Sequence, residues 1–400
     1  MPFPHVHFTA EAPREHPVLA AARRIAPKAA ALSNEIEAGR RLPTELTREL
    51  AEAGLYRMVM PAALGGFELH PLTVIDVLET LARADAATGW CVMTGALTAM
   101  TAAWLPDEAA KHIFGRPEVM TSGVTAPMGR AEFVGGSYYL TGWWPSASGG
   151  AHCQWLAAGA VVTENGRPKM MRKGVAEMRL FFVPREEVIL HETWRASGLC
   201  GTGVGNMEIT NVRVPAERSL SLTTRPRVRG PLYDFPCLGL PSVGGPAVAL
   251  GVARRALDEL LVAAHQERRL LLGQRALARW SALQEAVVAC ESVLRGARAY
   301  LLEAAHAAHE AATRREVSLH HRAALRLSCT HATQSAVRIV RELVDATGEV
   351  GGAREDLLQR CLRDVQAVSE HAAFVRPTVE PPEDVLPGVP AAERTPFAMS

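Results

Sequence analysis

The sequence predicts an α+β chain built as a helical segment, then a small β-sheet or barrel, then a four-helix bundle. Three observations carry that expectation. Apolar residues recur at helical spacing from Pro17 to Phe114. From Val119 to Leu220 the composition turns to short runs of Val, Tyr, Phe, Trp and Thr divided by glycine turns. From Pro241 onward, long segments rich in Ala, Leu and Arg return to apolar 3/4 spacing. The corresponding domains are 1–118, 119–225 and 226–400, the last with a loose proline-rich tail.

In the first part, Leu19, Ile25, Ala29, Leu32 and Ile36 mark one helix face. Pro43-Thr44-Glu45 opens a second helix, Leu46 to Ala53, which Gly54 ends. Residues 60–68, MPAALGGFE, break the pattern as a loop. Pro71–Ala84 and Ala86–Trp104 are two further apolar helices. In the second part the predicted strands are Val119–Val124, Glu132–Val134, Ser137–Trp144, Trp155–Val162, Met178–Val183 and Glu208–Val214. Ala131–Val134 pairs with Ser137–Trp143 across Gly135-Gly136, a two-residue turn that hairpins favour. In the third part, Pro246–Gln266, Gly273–His306, Val317–Ala346 and Leu357–Phe374 form an antiparallel bundle. The stretch after Arg376 contains six prolines and reads as an extended tail.

Hydrophobic content of 48% and charge of 21% describe a soluble globular protein. Lys+Arg is 43 against Asp+Glu 42, so nothing electrostatic favours nucleic acid or a membrane surface. Seven cysteines without a CxxC pair imply reduced thiols in a cytoplasmic protein, and argue against disulfides and a zinc site. The N-terminus, MPFPHVHFTAEAPREHP, has no apolar segment of the secretory kind, and no window approaches the ~20 apolar residues of a membrane span.

The chemistry concentrates in Gly135–Trp155, GGSYYLTGWWPSASGGAHCQW. After the hairpin the second strand runs into Pro145-Ser146-Ala147-Ser148-Gly149-Gly150, too small and polar to fill a core. Such residues let backbone amides and hydroxyls approach a flat ligand. On spacing alone, an ordinary hairpin ending in a glycine loop explains the stretch equally well. A second loop, Trp194–Asn206, carries four glycines in eight residues and a threonine, able to present amides to a phosphate or ribityl group. On the last helix, Asp364 and His371 lie seven residues apart, on nearly the same face.

These segments resemble the two-component flavin-dependent monooxygenases of the acyl-CoA dehydrogenase superfamily, over roughly Ala26 to Phe374. The branch is that of the 4-hydroxyphenylacetate hydroxylase oxygenases and dibenzothiophene monooxygenase. The resemblance rests on Trp144-x-x-x-Ser148-Gly149-x-x-His152-Cys153-x-Trp155, on Gly198-x-x-Gly201-Thr202-Gly203, on LARADAATGW, and on Gln359-Arg360-x-x-Arg363-Asp364 with His371. It implies the acyl-CoA dehydrogenase fold. It implies reduced flavin, FMN or FAD, from a separate reductase, reacting with O₂ to a C4a-hydroperoxide that oxygenates a small aromatic or hydrophobic substrate. It also implies a homotetramer.

By the same resemblance, Trp144, Ser146, Ser148, Gly149 and His152 contact flavin from the first loop, and Gly201, Thr202 and Gly203 from the second. Arg268 and Arg269 reach the flavin phosphates of a neighbouring subunit, and Arg363 joins the cofactor contacts. Ser148 and His371 are the catalytic candidates, and no metal is expected. Cys200 stands where the family usually has a basic residue, and Ser146 where an aromatic one covers the flavin ring. The helix WCVMTGALTAMTAAW lacks the histidine that deprotonates phenols in related hydroxylases. The alternatives are an acyl-thioester dehydrogenase and a helical oligomer without flavin. Dehydrogenation needs a positioned carboxylate. Its two family positions hold Ala372 and the acid-free stretch LPSVGGP.

Overall fold

The computed structural model describes residues 16–171, 174–191, 197–235, 239–267, 274–347 and 353–370. Its first helix, α1 (Pro17–Gly39), starts with proline at N1, and the His16 side chain accepts from Val18 N at 3.2 Å. Val18, Ala22, Ile25, Ala29 and Ile36 bury its inner face. The chain turns at Arg40, in left-handed backbone with φ 54°, into α2 (Thr44–Glu52). Two helices follow, α3 (Pro71–Ala84) and α4 (Ala86–Met100). Asp85 separates them and caps the second: its Oδ1 accepts from Thr88 N at 2.7 Å. Ser33 Oγ of α1 donates to the other oxygen at 2.8 Å, tying α1 to that junction.

The loop at 60–68 is held by Arg57, only 7% exposed. Its guanidinium donates to the carbonyls of Leu64, Gly65, Phe114 and Arg116, the last two at the end of α5 (Asp107–Phe114).

The β elements form one mixed sheet, with β1 (Thr121–Val134), β2 (Ser137–Ala147), β3 (Trp155–Glu164), β4 (Arg167–Pro168), β5 (Met178–Pro184), β6 (Ile189–His191), β7 (Gly205–Pro215) and β8 (Ser219–Leu220). The order is β6-β7-β2-β1-β3-β5-β8, with β4 on β3. The hairpin register runs from Gly129↔Gly142 to Val134↔Ser137, and Gly135 and Gly136 both take positive φ, 57° and 79°. The two short strands expected around 119–124 and 132–134 are one long β1, parallel to β3, with a register shift between Val124 and Gly129.

After the short α6 (Pro231–Asp234) come α7 (Gly239–Glu267), α8 (Gln274–Arg314), α9 (Leu319–Thr347) and α10 (Ala353–Ser369). Helix α7 starts before Pro246, which sits inside it, and α8 runs past the expected end at His306 to Arg314. Gly251 presses α7 onto α3: a β-carbon there would lie 2.6 Å from Glu79 O. An ion pair, Arg83 to Asp258 at 2.7 Å, crosses the same contact, and Arg298 of α8 ties that helix to α3 through Asp76 at 2.5 Å and Glu79 at 2.7 Å. Among the described residues, no helix is long and apolar enough to cross a membrane.

Candidate active site

Helix α4 is buried on nearly every side, yet Thr94, Leu97 and Thr98 stay half-buried. Their i, i+3, i+4 spacing makes one stripe. On the sheet side, β2 bulges between Trp144 and Ala147, and the exposed Ser146 takes φ 59°. The bulge turns the chain into Ser148-Gly149-Gly150 beside that stripe. A β-carbon on Gly149 would stand 3.3 Å from Met120 Cε, 3.5 Å from Ser122 Oγ and 3.5 Å from Thr94 Oγ1. The result is a methyl-sized notch rimmed by two hydroxyl oxygens.

The hydroxyl protons on this wall are already used. Thr94 Oγ1 donates to Cys91 O at 3.1 Å, Thr98 Oγ1 to Thr94 O at 2.8 Å, and Ser122 Oγ to Ser148 O. Each hydroxyl therefore offers a ligand only lone pairs. The half-buried Ser148 hydroxyl is different: among the described residues it has no hydrogen-bond partner, so it is free to donate. Ser148 N donates to Ser146 O at 2.8 Å, which fixes the turn.

Trp144 is spent on packing. Its ring is fully buried and fills a slot left by Gly129 and Gly142, whose β-carbons would come within 2.3 and 2.6 Å of it. Its indole N–H donates to Gly159 O at 2.7 Å. The ring therefore packs inside the sheet and presents no exposed surface. His152 is also internal: its Nε2 accepts from Leu42 N at 3.3 Å. Burial, with the charge of Arg41 nearby, pushes its ring down to about 4, so it is neutral near pH 7.

The second glycine loop differs from a phosphate cradle. Leu199 N donates to Asp364 Oδ1 at 2.6 Å, Thr202 N to Leu199 O at 3.2 Å, and Gly203 N to Arg40 O at 3.0 Å. Thr202 Oγ1 is buried and donates to Leu199 O at 2.8 Å. A β-carbon on Gly201 would meet Ile36 Cγ2 at 2.0 Å, so that glycine exists to admit α1. Gly201 packs, and Thr202 N, Thr202 Oγ1 and Gly203 N are engaged within the chain. Thr202 O accepts from Gly149 N at 2.8 Å, which joins the two loops.

Arg363 likewise turns inward, with Nε on Ser197 O at 3.1 Å and Nη2 on Glu37 at 2.8 Å. His371, Arg268, Arg269 and Trp194 lie outside the described residues. The sequence reading passed over Thr94, Met120 and Ser122. For Thr94 a signal existed, since threonines at 94, 98 and 101 punctuate an otherwise apolar helix.

The notch combines one free donor, two acceptor oxygens and a glycine floor, a set that fits the polar edge of a flavin ring. The fit reaches further than geometry. Residues 11–114 match the family described as acyl-CoA dehydrogenase, N-terminal domain, and residues 244–376 its C-terminal domain. The chain is 31% identical to indole-3-acetate monooxygenase of Pseudomonas putida over 333 residues, 82% of this chain and 83% of that one. It is 27% identical to the flavin-dependent monooxygenase oxygenase subunit HsaA of Rhodococcus jostii over 353 residues, 85% of this chain and 90% of that one. The crystal structure of 3-HSA hydroxylase from Rhodococcus sp. RHA1 superposes with a TM-score of 0.84 at 25% identity, covering 90% of this chain and 94% of that one.

Proposed function

The chain belongs to the acyl-CoA dehydrogenase family, and from that premise we propose that it is the oxygenase component of a two-component flavin-dependent monooxygenase. Bound reduced flavin, FMN or FAD, delivered by a separate reductase, would supply the electrons that activate O₂ for transfer of one oxygen atom. The observation that carries the reading is the notch at Gly149, between the free Ser148 hydroxyl and the acceptor wall of Thr94 and Ser122.

Ser148 Oγ would donate to the flavin edge, and Gly149 lets the ring approach the backbone. The substrate side is set by α4. Thr94 and Thr98 accept but do not donate, and none of the half-buried residues of that stripe ionises near neutral pH. The wall therefore suits a small, neutral ring that carries its own N–H or O–H. The relatives' names, indole-3-acetate monooxygenase and a resorcinol hydroxylase of a Rhizobium species, include rings of that kind. His371 comes into the proposal through the family resemblance, as a hydrogen-bond donor that keeps oxygen transfer coupled to flavin oxidation.

The experiment supplies reduced flavin under ¹⁸O₂ with indole-3-acetate and resorcinol as probes. One labelled oxygen per product is expected. His371→Ala is expected to bind flavin normally and to lower product per reduced flavin by roughly 30-fold or more, the scale of one preorganised donor. Unlabelled products throughout, together with dye reduction driven by an acyl-CoA thioester, would replace this reading with a dehydrogenase.

We also propose a homotetramer. Val262, Val288, Leu319 and Leu327 on α7, α8 and α9 are 51%, 70%, 60% and 49% exposed, and contact between copies of these helices would cover them. Light scattering at micromolar concentration should give four times the chain mass; a flavin-binding monomer contradicts it.

A further inference from the structure

Asp364 is on α10, more than two hundred residues from the Ser148–Gly149 segment, yet an unbroken run of hydrogen bonds joins them. Asp364 Oδ1 accepts from Leu199 N at 2.6 Å. Leu199 O accepts from Thr202, from Oγ1 at 2.8 Å and from N at 3.2 Å. Thr202 O accepts from Gly149 N at 2.8 Å and from Cys91 Sγ at 3.7 Å. The run is enclosed, because Thr202 is 0% exposed. Close packing reinforces it at the helix end: a β-carbon on Gly198 would lie 2.0 Å from Arg363 O, so the loop lies against the α10 backbone.

We propose that Asp364 is a positioning residue: through Leu199 and Thr202 it holds Gly149, and with it the Ser148 hydroxyl, so that the last helix sets the geometry of the flavin-edge loop. The flavin part of this statement rests on the function proposed above; the mechanical part does not. The carboxyl is placed among Asp85 at the α3–α4 junction, Glu37 on α1, Cys200 in the loop, and Arg360, Cys361 and Arg363 on its own helix. Burial pushes it up to about 7, against the pull of the Leu199 amide. In either protonation state one oxygen remains to accept from Leu199 N, so the link asks for an acceptor at this position rather than a charge.

The test is hydrogen exchange in flavin-free protein, read on the peptide spanning 145–153. Asp364→Ala is expected to speed exchange there at least tenfold, with the hairpin at 131–140 unchanged. Asp364→Asn, which keeps an acceptor oxygen, should return it to within about threefold of wild type. Thr202→Val, which removes the shorter of the two hydrogen bonds to Leu199 O without touching a carboxylate, should speed exchange in the same peptide but by less than Asp364→Ala, and the double variant should lose less than the product of the two single effects. Unchanged exchange in both Asp364→Ala and Thr202→Val, or Asn no better than Ala, overturns the proposal. Flavin titration of the same proteins forms the second arm, with a Kd roughly tenfold weaker in Ala and restored in Asn. Faster exchange with unaltered flavin affinity upholds the positioning role and removes flavin from this loop.

Discussion

Arg57→Leu should destabilise the protein by about 3–5 kcal/mol, the largest stability loss expected from one surface-distant substitution here. The side chain is 7% exposed and satisfies four backbone carbonyls, those of Leu64, Gly65, Phe114 and Arg116. Leucine keeps much of the volume and leaves those oxygens without donors. Burial lowers the Arg57 pKa, yet a guanidinium stays charged at any ordinary pH, so the loss is one of donors rather than of protonation. Arg57→Lys should fall between, because a single ammonium cannot reach four acceptors spread over two segments. Urea midpoints at unchanged slope would measure the difference. A shift worth less than about 1 kcal/mol would show that water replaces the guanidinium, and the account of this loop would then be wrong.

Gly149→Leu should abolish flavin binding, weakening it by at least about a hundredfold. Two causes are separable. Gly149 has φ 77°, where any side chain costs about 1–2 kcal/mol. The notch beyond it accepts one carbon, 3.3–3.5 Å from Met120, Ser122 and Thr94, and no more. Gly149→Ala adds to the backbone strain a carbon that fills the notch itself, and should lose about tenfold in affinity. Gly136→Ala is the control, with φ 79° and nothing within 4 Å of the added carbon. It should lower the melting temperature comparably and leave flavin affinity alone. If Gly149→Leu still binds flavin as wild type does, the ring is elsewhere and the site has been misplaced.

Local rules made most of the fold legible. The Gly135-Gly136 turn specified the β1–β2 register, and Asp85 marked the break between α3 and α4. The continuous β1 was harder to read because Pro127 and Gly129 interrupt it, and the register shift that accommodates them is visible only with β3 in place. The site was less legible for a related reason. Gly201 reads as a ligand-facing glycine until Ile36 is found against it, and the amide of Leu199 reads as free until Asp364 arrives from 165 residues away. Spacing within a loop cannot show which distant element consumes its donors. The burial of Trp144 has a signal of a different kind. Strand alternation puts Trp143 and Trp144 on opposite faces, and the glycines at 129 and 142 mark the side with room for a buried ring.

The strand order also bears on how the protein is made. β2 lies between β1 and β7, yet about 60 residues separate it from β7 along the chain. At a synthesis rate of ~5–20 residues per second, the nascent hairpin waits roughly 3–12 s before its second edge can be paired. During that interval Tyr138, Tyr139, Trp143 and Trp144 lie along an open strand edge, the kind of surface on which unfinished chains associate. Ribosome-bound chains in which residue 205 is still inside the ribosome should therefore be the ones that recruit chaperones, and chains long enough for residue 215 to have emerged should release them.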